Sequence, residues 1–236
     1  MQRYFVKDKQ NNQFIFYDQD VHHIKTVMRY KVGDNIEIVY NSKIYICKIT
    51  SIDPLNTMVV EEKLENNEMS IDLTVAVALV NEQKFDLILQ KLTELGVSKI
   101  IPIKTERSII KIDAKKEIKK QQRWQTICKE ASEQTHRNKI PVVENVMTLK
   151  ELAKEKHELK LICSLQKESK SINEYLTKDI NNILFTIGPE GGFSTNEEKY
   201  LLENSFMPIT LGKRVLRVET AAIYVASIIN YIYEGW

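Results

Sequence analysis

The feature that most constrains this chain is a nearly unbroken apolar run, Ile71–Val80 (IDLTVAVALV). A strand with one face in water alternates apolar and polar side chains. A run without that alternation reads as a strand buried on both faces. Such a strand needs cover from two sides, which parallel sheets obtain from the helices connecting their strands. The chain after the run supplies them. Asn81 stands near a helix start, and Phe85, Ile88, Leu89 and Leu92 share one stripe of that helix. Gly96 marks its end, and Val97–Ile103 reads as the next strand. Helical stretches are expected at 114–137, 149–157, 171–177, 195–204 and 219–233, and further strands at 159–165, 183–187 and 208–211. This alternation predicts an α/β fold, a mostly parallel sheet with helices on its faces.

The first seventy residues follow a different rule. Arg3–Val6 and Gln13–Phe16 are short apolar or aromatic runs, and Asn35–Tyr40 and Lys43–Ile52 are β-rich runs separated by a hairpin turn at Asn41-Ser42. A short helix is expected over Asp20–Arg29 with Asp20 as its N-cap. Short strands at this density predict a small barrel or sandwich. The polar, acidic stretch EEKLENNEMS after Val60 reads as the linker between two domains.

Composition narrows the function classes. Hydrophobic residues make up 43% of the chain, enough for a core without staples. The cysteines, Cys47, Cys128 and Cys163, are odd in number and far apart, which argues against a zinc site or disulfide framework and for idle thiols in a reducing cytosol. The N-terminus does not read as a signal peptide, and Ala221–Ile232 is too short and too polar to span a bilayer. Net charge is only +2, yet Lys99–Lys139 holds 12 basic and 5 acidic residues. That excess suits a polyanion partner, and equally a solvated lysine-rich helix face.

Ligands of open α/β sheets sit beyond the carboxyl ends of the strands. One such end, after Ile187, reads Gly188-Pro189-Glu190-Gly191-Gly192, with three of the chain's seven glycines within five positions. Ser194 then caps a helix, with Glu197 completing a capping box. The spacing is that of neither a dinucleotide fingerprint nor a phosphate loop. Alone, it reads as a tight turn or as a place where a ligand touches main chain. A second stretch, Leu211–Ala222 (LGKRVLRVETAA), places three basic residues before a helix opened by Glu219-Thr220.

Together, IGPEGGFSTNE (187–197) and LGKRVLRVETA (211–221) resemble the ribosomal RNA small-subunit uridine N3-methyltransferase family, of the RsmE type. KLTELGV (91–97), PIKTERS (102–108), EASEQTHRNKIP (130–141) and HHIKTVMRYKVGD (22–34) resemble the family's other motifs in order, with Met28 where leucine is usual. The resemblance implies a PUA-like, RNA-binding β-barrel, assigned to residues 1–70, and a SPOUT domain, residues 71–236, closed by a trefoil knot. It implies S-adenosyl-L-methionine as cofactor, a cytoplasmic homodimer, no metal and no membrane. The activity implied is methylation of uridine N3 in small-subunit (16S) ribosomal RNA within the subunit. A knotted ribose 2′-O methyltransferase and a non-catalytic RNA-binding assembly factor are the rival readings.

Residue roles follow as expectations. Leu165, Ile187, Gly188, Glu190, Gly192, Leu211, Gly212 and Leu216 are assigned to the cofactor. Arg217 is assigned to the uracil anion or an adjacent phosphate. Glu219 is assigned as the base, or as a residue that merely favours its helix N-terminus. Arg3, His23, Arg29, Arg107, Arg123 and Arg137 are assigned to RNA, since guanidinium groups fork onto phosphate. The basic helix Lys115–Lys120 adds nonspecific contact. Glu130, Gln134 and Arg137, at helical i, i+4 and i+7, either reach across a dimer interface or lace a helix surface.

Overall fold

The computed structural model describes residues 1–11, 13–108, 110, 114–165 and 169–234, without the side chains of 114–116. They form two compact units: Met1–Glu68 with Ser132–Lys139, and Met69–Ala131 with Ile140 onward.

The first unit is a four-stranded sheet and a hairpin. Strand β1 (Arg3–Phe5) runs parallel to β4 (Asn35–Tyr40), which pairs antiparallel with β5 (Lys43–Ile52), itself antiparallel to β6 (Leu55–Lys63). The separate hairpin joins β2 (Asp8–Gln10) to β3 (Gln13–Ile15). Asn41 and Ser42 both take positive φ, 50° and 62°, the pair of left-handed residues that a tight two-residue hairpin turn requires. Tyr4, Phe14, Phe16, Ile24, Ile36, Ile38 and Ile49 fill the core.

Three expectations change here. The helix predicted at Asp20–Arg29 starts earlier, as α1 (Asp18–His22), and continues as a π-helical turn over His23–Val27. Tyr17 holds the N-cap position, and Asp20 is buried within the helix. The expected linker opens later than its composition suggests, because Glu61–Lys63 complete β6, whose outward side chains are polar.

The third change concerns two arginines assigned to RNA. Arg3 is 1% exposed and Arg137 is 3% exposed. Arg3 donates Nε to Glu37 at 3.0 Å and Nη1 to the carbonyls of His136 and Arg137, at 2.5 and 3.0 Å. Arg137 is forked onto Glu68. These guanidinium groups satisfy buried acids and carbonyls and are withheld from any phosphate. The motif helix also ends early: Gln134 closes α3 (Ala114–Gln134) and His136 has φ 57°, so Arg137 does not share a helical face with Glu130.

The second unit is a parallel sheet. Its strands are β7 (Asp72–Ala78), β8 (Lys99–Lys104), β9 (Val142–Val143), β10 (Met147–Thr148), β11 (Leu159–Cys163), β12 (Lys170–Ser171), β13 (Asn182–Ile187) and β14 (Phe206–Thr210). The order is β10-β8-β7-β13-β11-β14-β12, with β9 also on β8. Strand β7 explains the apolar run. Its Leu73, Val75 and Val77 join one core, with Phe85 and Leu89 of α2 (Glu82–Glu94) and Val225 and Ile229 of α6 (Val218–Tyr233). Its Ala76 and Ala78 join a second core on the other face, with Leu149 and Leu152 of α4 (Leu149–Leu152) and Leu201 of α5 (Thr195–Glu203). Trp124 of α3 packs on Phe85 with ring centroids 4.7 Å apart, adding aromatic contact to the first core.

Helix α4 is shorter than the 149–157 expected, since its apolar stripe ends at Leu152. The stretch 171–177 holds only a 3-10 turn, Ile172–Glu174. Strands β9, β10 and β12 are two residues each, too short to show a period. No helix among the described residues is long and apolar enough to cross a membrane.

Burial pushes the Glu37 carboxyl up, but hydrogen bonds from Lys63 and Arg3 outweigh that and hold it below the usual range. Removing Arg3 takes a charge-assisted partner from a buried carboxylate that Lys63 still holds at 3.0 Å, at a cost of about 2 kcal/mol. Arg3→Met is therefore expected to destabilise the protein by about that amount at neutral pH in denaturant titrations. A group with a lowered folded pKa stabilises above its unfolded pKa, so the deficit is expected to shrink as pH falls through the folded value.

Candidate active site

Strand β11 pairs in parallel with β13 on one edge and β14 on the other. The carboxyl ends of three strands therefore stand side by side, at Ile187, Cys163 and Thr210. The segments that leave them wall one cleft with about 580 Å³ of empty space, part of it open to solvent. Leu165, Ile187, Gly188, Glu190, Gly192, Leu211, Gly212 and Leu216 all line it. Cys163, Ser164, Pro189, Arg214, Val215, Val218 and Ala221 line it too, although the sequence reading did not assign them to the cofactor. Burial pushes the Cys163 thiol up to about 12, so it stays neutral and is no nucleophile.

The glycine loop is held in shape from outside. A Cβ on Gly188 would meet the Phe193 backbone nitrogen at 2.9 Å, so only glycine lets the loop fold back on itself. Ser194 and Glu197 form the expected capping box of α5. The Glu197 carboxylate also accepts from the Glu106 amide at 2.7 Å, pinning the neighbouring loop. Arg107 donates Nη1 to the carbonyls of Gly191 at 2.6 Å and Phe193 at 3.2 Å. In this structure Arg107, read from sequence as an RNA contact, props the glycine loop.

An ion cluster edges the cleft. Lys84 Nζ donates to Glu190 Oε1 at 2.7 Å and lies 3.9 Å from Glu219 Oε2. The hydrogen bond from Lys84 holds the Glu190 carboxyl below its usual range. Glu219, in the first turn of α6, has a side chain only 14% exposed. Its Oε2 is buried without a hydrogen-bond partner among the described residues. Arg217 occupies the N-cap position of α6, exposed and making no capping hydrogen bond. Lys84 was missed in the sequence. Its signal was a cation in a helix first turn, where the dipole disfavours positive charge.

The other arginines assigned to RNA separate. Arg123 forks onto Asp86 at 2.7 and 2.6 Å and meets Glu82 at 3.0 Å. His23 is half-buried, its Nδ1 2.9 Å from the Tyr4 hydroxyl. Arg29 is exposed, on a backbone with φ 54°. The basic excess of Lys99–Lys139 is also partly spent: Lys99 pairs with Glu155 at 3.4 Å and Lys120 with Glu82 at 3.4 Å. Lys115 and Lys116, which begin the expected basic helix, have side chains outside those described.

Known proteins share this arrangement. A family model described as an RNA methyltransferase domain matches residues 67–230, and one described as an RNA methyltransferase PUA domain matches residues 16–56. The chain is 36% identical over 254 residues to the ribosomal RNA small subunit methyltransferase E of Bacillus subtilis, across 99% of this chain and 98% of that protein. The chain belongs to the ribosomal RNA small subunit methyltransferase E family. The family's Mesomycoplasma hyopneumoniae protein is 35% identical, over 95% of this chain and 96% of that protein. The Neisseria gonorrhoeae small subunit methyltransferase E, solved bound to S-adenosyl methionine, matches with TM-score 0.88 and 27% identity, over 99% of this chain and 98% of that one. A Legionella pneumophila protein, solved with the same cofactor, matches with TM-score 0.90 and 29% identity, over 98% of this chain and 97% of that one.

Because the Cβ of any other residue at 188 collides with backbone, Gly188→Ala is expected to displace the loop. S-adenosylmethionine affinity measured by calorimetry should fall by about ten-fold or more, as when a pre-formed site must reorganise at a cost of ~1.4 kcal/mol.

Proposed function

We propose that this chain transfers a methyl group from S-adenosylmethionine to N3 of a uridine in small-subunit ribosomal RNA. The observation that carries the proposal is the cleft where three parallel strands end, lined by all eight residues assigned to the cofactor from the sequence. The cradle fits the cofactor: Gly188 lets the loop fold tightly, Gly192 and Gly212 leave open space beside main chain, and Ile187, Leu211 and Leu216 offer apolar walls to an adenine ring. Glu190, at the rim, is placed to accept from a cofactor hydroxyl; Gly192, Gly212 and Leu165 complete the walls.

When bound, S-adenosylmethionine supplies a sulfonium methyl to a nucleophile held in line with the S–CH3 bond. Uridine N3 becomes such a nucleophile only as its proton leaves. Glu219, with one buried oxygen that accepts no hydrogen bond among the described residues, is the chain's candidate acceptor for that proton. Arg217, two residues earlier and exposed, is placed to steady the negative charge that spreads onto the uracil oxygens. Arg29 is the exposed N-terminal arginine offered to phosphate.

A homodimer is part of the same reading. Helix α6 shows water an apolar face, with Tyr231 73% and Ile232 41% exposed, above a hollow that shares Leu211 and Gly212 with the cofactor cleft. A second copy on that face would close the cleft's outer side. The reading places the enzyme in the cytoplasm with its ribosomal substrate.

The test is incubation of the purified protein with labelled cofactor and unmodified small subunits, followed by nucleoside mass spectrometry. Label on uridine N3 is expected, and Arg217→Ala is expected to lower the rate by about 100-fold, as for loss of one group that stabilises developing charge. Label on a ribose 2′-oxygen, or none, would contradict the proposal.

A further inference from the structure

Lys84 lies in the first turn of α2, where the exposed N–H groups of the helix repel a cation. Two carboxylates hold it there. Its Nζ is 2.7 Å from Glu190 Oε1 and 3.9 Å from Glu219 Oε2. Glu190 lines the cofactor cleft, whereas Glu219 opens α6. One lysine thus joins the rim of the cleft to the residue beside which the uracil is proposed to sit.

Glu219 needs such a partner. Its Oε2 is out of water and accepts no hydrogen bond among the described residues. An ionised carboxylate so placed is costly unless a positive charge stands close. The charged groups around it come from three elements. They are Lys84 from α2, Glu190 from the loop after β13, and Arg217 at the start of α6, whose charge also bears on Lys84. Lys84 Nζ stands within 4.0 Å of a carboxylate oxygen of each, Glu190 and Glu219. Among the described residues Lys84 is the cation within 4.0 Å of Glu219. An ammonium has three donors. Glu190 takes one, which leaves others to turn toward Glu219.

We infer that Lys84 is a positioning residue for methyl transfer, orienting the Glu219 carboxylate and tying it through Glu190 to the cofactor cleft. The inference rests on the reading of Glu219 as the acceptor of the uridine N3 proton. The residues that line the cleft do not include Lys84, which acts through Glu219. Its effect therefore belongs in the rate of the bound complex more than in cofactor affinity.

The experiment uses the full chain as wild type, Lys84→Met, Lys84→Arg, Glu219→Gln and the double variant Lys84→Met with Glu219→Gln. Calorimetry gives the S-adenosylmethionine Kd, which also reports a folded site, and single-turnover transfer to unmodified small subunits at saturating cofactor gives the rate. Lys84→Met is expected to slow transfer by about ten-fold or more while Kd changes by less than about three-fold, and Lys84→Arg to recover most of the rate. In the Glu219→Gln background, adding Lys84→Met is expected to cost less than about three-fold, because the two residues act as a unit. An active wild type with Lys84→Met within about two-fold of it overturns the role of Lys84 alone, as does a loss that multiplies in full with that of Glu219→Gln. A Kd that rises as much as the rate falls makes Lys84 a cofactor contact and overturns it too. No transfer by the wild type overturns this inference and the proposed function together.

Discussion

The site depends on the parallel pairing of β11 with β13 on one side and β14 on the other. Parallel strands point their carboxyl ends the same way, so this pairing brings the ends of three separate chain segments to one edge. The glycine loop, the segment after Cys163 and the LGKRVLR stretch then meet without any long-range search by their own side chains. The cost is a sheet buried on both faces. Strand β7 meets it with Leu73, Val75 and Val77 on one side and the small Ala76 and Ala78 on the other. The latter leave room for Phe193 and Phe206 in the second core. The cleft is the open end of a rigid sheet, which fixes the loop backbones that a ligand would touch.

Rigidity at the loop itself comes from polar contacts. Glu197 serves both its own helix cap and the Glu106 amide, and Arg107 holds the carbonyls of Gly191 and Phe193. Each of these groups would otherwise have to be ordered when a ligand binds. Ordering them beforehand moves that cost from binding to folding. The loop is therefore pre-shaped, with Gly188 as the point where space runs out.

Much of this was legible in the sequence because it is written in local pattern. The apolar run at 71–80 announced a doubly buried strand, Ser194 and Glu197 announced the α5 cap, and the glycine cluster announced a loop that approaches something closely. What was not legible depends on partners distant in sequence. Strand order left no local trace, and β6 was hidden because its exposed face ends in Glu61, Glu62 and Lys63. Residue type also misled. Arginine suits phosphate, but Arg3 and Arg137 are consumed by Glu37 and Glu68, and Arg123 by Asp86, acids lying 34, 69 and 37 positions away. Lys84 escaped for the same reason: its carboxylate partners are 106 and 135 residues further on.

The three strand-end loops together are proposed to hold S-adenosylmethionine. Backbone amide hydrogen exchange, with and without the cofactor, tests it most directly. Slowed exchange is expected in the segments around Gly188–Gly192, Gly212–Leu216 and Ser164-Leu165, with little change in the N-terminal sheet. Protection absent from these three segments, or concentrated elsewhere, would contradict it.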